Sequence, residues 1–132
     1  MDAARKVLLF DSLLGSVWMV TGLSFVSPAR IVEGWWLVGI AGICAAGGLA
    51  AEEHGYTPAD SLAWFAVAVV GVLGVGIVAV VATTRLFAIE PVTTISAILV
   101  GLGVGVLAYR FVYGVVRPIP ADRLERAGRR AV

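Results

Sequence analysis

The chain is poor in the residue types from which most polar active sites are built. Its 132 residues include no asparagine, no glutamine, one cysteine and one histidine. A lone cysteine excludes a disulfide within the chain, and these counts also exclude a bis-histidine haem site or a Cys/His zinc site formed by one chain. We therefore expect no metal site and no cofactor. The sequence also lacks a phosphate-binding loop, a dinucleotide fingerprint and a nucleophile–base pair, which predicts that the protein is not an enzyme.

Charged residues are scarce as well. They make up 14% of the chain, whereas an ordinary soluble domain has about 25%. The formal net charge of +1 gives no indication of a nucleic-acid partner. Hydrophobic residues, by contrast, make up 60% of the chain, against about 45–50% in a soluble domain. This composition is typical of a membrane protein. We therefore expect the lipid bilayer to be a partner of this chain.

Four long apolar segments account for this composition, at residues 7–27, 35–51, 61–82 and 92–116. Each is close to the about 20 residues that a helix needs to cross the hydrocarbon core. The second segment is the shortest, so we expect an interfacial turn before it, near Pro28. The sequence predicts an all-α polytopic integral membrane protein. It would be a four-transmembrane-helix bundle forming one domain over residues 1–132.

Basic residues indicate the orientation of this bundle. Four spans place both ends of the chain on one side of the membrane. On the other side the basic residues are only Arg30 and Arg85. The positive-inside rule then predicts that the N- and C-termini are cytoplasmic. We expect the protein to lie in the cell (plasma) membrane. The acidic loop 52–60 would face the basic tail 117–132 and attract it, with about 0–1 kcal/mol per exposed pair. Eight basic residues lie on the terminal side: Arg5, Lys6, Arg110, Arg117, Arg123, Arg126, Arg129 and Arg130.

The two loops on the opposite side resemble each other faintly. One contains Arg30 and Glu33, and the other contains Arg85 and Glu90. The match is consistent with an internal repeat of two parallel helical hairpins. The alternative is chance, because a short loop outside the membrane commonly holds one arginine and one glutamate.

One carboxylate and one guanidinium lie inside the predicted spans. Asp11 is about 6 Å inside the first span, and Arg110 about 9 Å inside the fourth, at about 1.5 Å per residue. A charge at such depth costs free energy unless an opposite charge compensates it, so we predict an ion pair between these two residues. Two alternatives stay open. Arg110 could extend its side chain to the headgroups while Asp11 faces water, or Asp11 could be an ion or proton site.

Small residues recur at helical spacing in all four spans, where they allow helix backbones to approach closely. They predict packing within the bundle or between copies, and their number favours a homo-oligomer. The helix-packing glycines are Gly15, Gly22, Gly39, Gly42, Gly71, Gly74, Gly101 and Gly105.

Two functions follow as hypotheses. The first is a non-catalytic protein that packs through its Gly/Ala faces as a homo-oligomer or as an accessory subunit of a membrane complex. The second is a small transporter or channel with its ion site at Asp11, in which case a path would follow the first and fourth spans. An Asp11 locked to Arg110 favours the first, and a solvated Asp11 favours the second. The side chains available to line such a path are Ser12, Ser16, Tyr109 and Tyr113.

Overall fold

A computed structural model describes residues 2–56 and 62–129. Over these residues the chain is helical, apart from turns and one isolated bridge between Tyr113 and Arg117. Four helices, α1, α3, α4 and α5, are long and apolar enough to cross a membrane. The prediction of an all-helical chain with four such helices is confirmed. The helices are α1 (Ala3–Phe25), α2 (Pro28–Glu33), α3 (Trp35–Glu53), α4 (Leu62–Phe87), α5 (Pro91–Val112) and α6 (Ala121–Arg129).

The helix ends differ from the ends of the apolar segments because hydropathy and helix formation are separate properties. Helix α1 begins at Ala3 and includes Arg5 and Lys6, which are good helix formers although they are charged. Helix α4 likewise continues to Phe87, five residues beyond its predicted end. The short helix α2 starts at Pro28, where an interfacial turn was expected. Residue 61, the predicted start of the third span, lies outside the described residues.

Helix α3 also extends beyond its predicted end at residue 51, and a glycine stops it. Gly55 has a φ of 74°, in the left-handed region that glycine adopts without strain. The N–H of Tyr56 donates to the carbonyl of Ala51 (3.0 Å), as in a Schellman motif. Glu52 and Glu53 therefore belong to the last turn of the helix, and their assignment to the acidic loop was wrong.

Helix α5 is the centre of the fold, because α1 and α3 pack along it rather than against each other. Gly101 and Gly105 lie one turn apart on the side facing α3, where a Cβ on Gly105 would collide with the carbonyl of Gly42. Gly103 faces the opposite way, since two residues turn a helix by about 200°. A Cβ on Gly103 would lie 2.5 Å from the carbonyl oxygen of Gly15 on α1. These glycines let three backbones approach closely.

Helix α4 stands apart from this three-helix unit. It joins the others near its C-terminal end, where the Thr83 hydroxyl lies 2.8 Å from that of Thr94 and the Phe87 ring contacts Trp36. None of its most apolar stretch is buried. The four helices are therefore packed unevenly. The first predicted hairpin is also not a compact unit, because α5 mediates the packing of α1 and α3.

Only some of the expected packing glycines contact another helix. Gly15, Gly22, Gly42, Gly101 and Gly105 face neighbouring backbone or side-chain atoms across a helix interface. At the other three a Cβ would meet nothing within 4 Å, so they do not pack against another described helix, and their packing between copies stays a prediction. These three are Gly39, Gly71 and Gly74.

Candidate functional site

A cluster of charged side chains is buried where α1 begins and where α3 and α5 end. We call it the charged cluster, and it comprises Asp11, Glu53, Tyr109, Arg110 and Arg123. Asp11 is 3% exposed, and both Glu53 and Arg110 are 2% exposed. Each helix of the three-helix unit supplies at least one of these groups. The cluster therefore joins the three helices at the same end that carries the start of α1 and α6.

Arg110 is the central residue of the cluster. Its Nε donates to Oδ2 of Asp11 at 2.6 Å, and its Nη2 donates to Oε1 of Glu53 at 2.5 Å. The structure thus brings Asp11 and Arg110 together as the predicted pair, but the arginine has a second carboxylate partner. One guanidinium on α5 bridges α1 and α3, and a planar fork of donors suits such a double contact.

Tyr109 completes the contact with α3. Its hydroxyl donates to Oε2 of Glu53 at 2.8 Å, so both carboxylate oxygens accept a hydrogen bond. The guanidinium carbon of Arg110 lies 5.4 Å from the centre of the Tyr109 ring. Tyr113 stacks on the same ring, with 4.9 Å between centroids. The site around Glu53 is therefore closely filled by aromatic and guanidinium groups.

Arg123 closes the cluster from the tail. It lies on α6, and its Nη2 is 3.7 Å from Oδ1 of Asp11 while its Nη1 is 3.4 Å from Oε1 of Glu52. Its side chain is 17% exposed, so it forms the outer layer of the cluster. The attraction predicted between the tail and the acidic segment is present in these contacts, although it reaches Asp11 as well.

The helix periodicity explains why these residues meet. Tyr109 lies one turn after Gly105 and continues the face of α5 that packs against α3. Arg110 lies seven positions, about two turns, after Gly103 and continues the face that packs against α1. Tyr109 therefore contacts α3 and its neighbour Arg110 contacts α1, while Arg110 also reaches Glu53 on α3. The glycines draw those helices close enough for direct hydrogen bonds.

The charges of the cluster balance. Asp11 and Glu53 are opposed by Arg110 and Arg123, and Glu52 lies at the outer edge. Removing two buried charges from water costs several kcal/mol per ion, which close geometry and further hydrogen bonds offset. The inner contacts, at 2.5–2.8 Å, meet the first condition, and both carboxylate oxygens of Glu53 accept a hydrogen bond. Nη1 of Arg110 and Nε of Arg123 are buried without a hydrogen-bond partner among the described residues, so the second condition is met only in part. The arrangement can hold helices in a fixed register, because a shifted helix would leave a buried charge unpaired.

Comparisons with protein-family models, with curated proteins and with solved structures found no match. Over residues 2–56 and 62–129, no group of three or more His, Cys, Asp or Glu side chains is placed to hold a metal ion.

The residues proposed to line a path occupy different environments. Ser12 and Ser16 are half-buried on α1. Tyr109 is buried against Glu53, and Tyr113 is half-buried beside it. These side chains are not brought together along a cavity between α1 and α5, since the contact between these helices is close at Gly15 and Gly103.

Two residues of the cluster, Glu53 and Arg123, were not predicted from the sequence. Glu53 was taken for part of a solvated loop, yet it lies eleven positions, about three turns, after Gly42 and therefore on the same face of α3. Extending the small-residue stripe by three turns would have found it. Arg123 was one of several basic residues in the tail, and no sequence signal distinguishes it from its neighbours.

The opposite end of the molecule has a different character. There Arg30 of α2 forms an ion pair with Glu90, and both side chains are at least half exposed. A cavity of about 420 Å³ opens beside this pair, between α2, the start of α3 and the turn from α4 to α5. Its lining residues are Arg30, Glu33, Trp36, Phe87, Ala88, Ile89, Glu90 and Thr93.

Proposed function

We propose that this protein is a small non-catalytic integral membrane protein with a structural or accessory role. In this proposal α1, α3 and α5 form a rigid unit, and α4 associates with a second copy or with another membrane protein. The observation that carries it is the closed state of Asp11, which is 3% exposed and hydrogen-bonded to Arg110. A carboxylate held in this way is suited to fixing helix positions.

The same geometry argues for this role over ion transport. An ion or proton site has to exchange its ligand with water or with a neighbouring group. Asp11 instead has Arg110 at 2.6 Å on the inside and Arg123 at 3.7 Å on the outside. Opening a path would require both guanidinium groups to move away from the carboxylate, leaving buried charges unpaired.

Helix α4 supports the association part of the proposal. Its apolar side chains are exposed along most of the helix, including Val72 (68%), Val75 (71%) and Val78 (68%). Gly71 and Gly74 lie in the same stretch with open space around them. Lipid can cover such a surface, and small residues on it also permit close approach of another helix.

We further propose that the protein lies in the plasma membrane with both termini in the cytoplasm. The end of the molecule that carries α6 and the start of α1 also carries Arg5, Lys6 and Arg117. The opposite end carries Arg30 and Arg85. This asymmetry in basic residues is the one that orients membrane proteins.

Native mass spectrometry in nanodiscs tests the association. We expect a discrete oligomer, or a stable complex with another membrane protein, for the wild type. Leucine at both Gly71 and Gly74 should reduce it, whereas Gly39→Leu on α3 is a matched control because Gly39 is also open. A complex that all these variants retain would contradict association through α4.

Ion flux tests the non-transport role. Proteoliposomes containing the wild type should conduct ions no faster than empty vesicles, and Asp11→Asn should change nothing beyond the amount of folded protein. A proton or cation flux that Asp11→Asn abolishes would replace our proposal by transport through the charged cluster.

Orientation is tested in a Cys44→Ala background with single cysteines at residues 2 and 30 and a membrane-impermeant thiol reagent. We expect labelling from opposite sides.

A further inference from the structure

We propose that the cavity beside Arg30 and Glu90 binds a zwitterionic headgroup in which a phosphate and an ammonium group are linked. The cavity, of about 420 Å³, falls in the range of about 300–1,000 Å³ that is common for small-ligand sites. It lies at the opposite end from the charged cluster. The inference goes beyond the proposed function and rests on it for the placement of this end at a membrane surface.

The cavity offers two kinds of attraction for an ammonium group. Trp36 and Phe87 form a tilted aromatic pair with centroids 5.3 Å apart, and Phe87 is 59% exposed. A cation is attracted to the face of such a ring by the ring's quadrupole. Glu33 adds a carboxylate in the same lining and forms no ion pair with any described residue. An organic ammonium group would therefore find both an aromatic surface and a carboxylate that forms no ion pair with a described residue.

The phosphate partner is Arg30. Its guanidinium group has five N–H donors, and Nη1 is used for the ion pair with Glu90. The remaining donors bind no described residue, so they can donate to a phosphate. Glu90 already offsets the positive charge of Arg30. A ligand that carries only negative charge would also be repelled by Glu33. A zwitterion matches the positive and the negative side chains together.

The position of the cavity favours a lipid as the source of this headgroup. It is lined by residues at the ends of helices that are long enough to cross a membrane, and Trp36 is of the residue type enriched at the membrane surface. Ala88, also in the lining, has a φ of 54°, in the left-handed region that is unfavourable for a residue with a Cβ. Backbone strain of this kind is concentrated at ligand sites.

Native mass spectrometry of the delipidated full chain tests the proposal. It is incubated with phosphatidylethanolamine or with phosphatidylglycerol carrying the same acyl chains. We expect about tenfold more bound phosphatidylethanolamine, as one charge-assisted contact would give. Glu33→Gln and Trp36→Leu should each remove most of this preference. Trp35→Leu is the matched control, since Trp35 is 71% exposed and does not line the cavity.

A second measurement separates the headgroup from the membrane. Glycerophosphoethanolamine, which has no acyl chains, is titrated into the detergent-solubilised chain. Fluorescence is followed in a variant in which Trp18→Phe, Trp35→Leu and Trp64→Phe leave Trp36 as the single tryptophan. Binding that Glu33→Gln abolishes supports the site even if the proposed membrane placement fails. Equal binding of the two lipids, or equal effects of Trp35→Leu and Trp36→Leu, would overturn the proposal.

Discussion

Two arginine–carboxylate pairs connect distant parts of this chain, and they have opposite environments. At one end Arg110 binds Asp11, with side chains 2% and 4% exposed. At the other end Arg30 binds Glu90, with side chains 50% and 61% exposed. The residue chemistry is the same in both pairs. The first pair is buried between helices and shares its guanidinium with Glu53, whereas the second is a surface contact.

The difference in burial follows from the helices that carry the charges. Arg110 lies on α5, where glycines on two sides let the backbones of α1 and α3 approach α5 closely. Arg30 and Glu90 lie at the ends of helices, beside an open cavity. Because water screens exposed charges strongly, an exposed pair contributes little to stability.

The largest expected effect is the loss of the buried guanidinium. Arg110→Met leaves Asp11 and Glu53 buried without their inner partner, so it should lower the free energy of unfolding by about 3–5 kcal/mol. Denaturation in mild detergent by increasing sodium dodecyl sulfate measures it. The triple variant that adds Asp11→Asn and Glu53→Gln should regain most of the loss. A single variant as stable as the wild type would contradict the role of the cluster.

A smaller effect is expected from closing the space between α3 and α5. Gly105→Ala places a methyl group against the carbonyl of Gly42, and overpacking of this kind typically costs about 1–3 kcal/mol. Gly74→Ala on α4 is the matched control, because its Cβ meets nothing within 4 Å. It should be neutral or slightly stabilising, since alanine favours a helix by about 1 kcal/mol over glycine. Equal losses in the same denaturation assay would contradict the difference between α5 and α4.

The smallest effect is expected for the exposed pair. Arg30→Ala, Glu90→Ala and the double variant form a cycle whose coupling energy should be about 0–1 kcal/mol. It should also shrink as salt is added, because an exposed pair is screened. A salt-independent coupling above about 2 kcal/mol, outside the range for surface pairs, would show that this end is as tightly built as the other.

Part of the charged cluster could be predicted from the sequence. Asp11 and Arg110 interrupt apolar runs at similar depth, so their pairing follows from the cost of a lone buried charge. Glu53 could not be recognised in that way, because it stands next to Glu52 and His54 at the end of an apolar run. Its burial depends on the Schellman motif at Gly55 and on the approach of Tyr109 and Arg110 from another helix.

The sequence by itself determined the all-helical architecture and the number of long apolar helices, because hydrophobic runs of this length have few other solutions. The tertiary structure decided which helices pack. Glycine stripes occur in α3, α4 and α5 alike, and their spacing does not reveal that α5 is central while α4 stands aside. That choice depends on the fit between whole helix surfaces and on the burial of one guanidinium between two carboxylates. Both are relations between distant residues, which no local pattern contains.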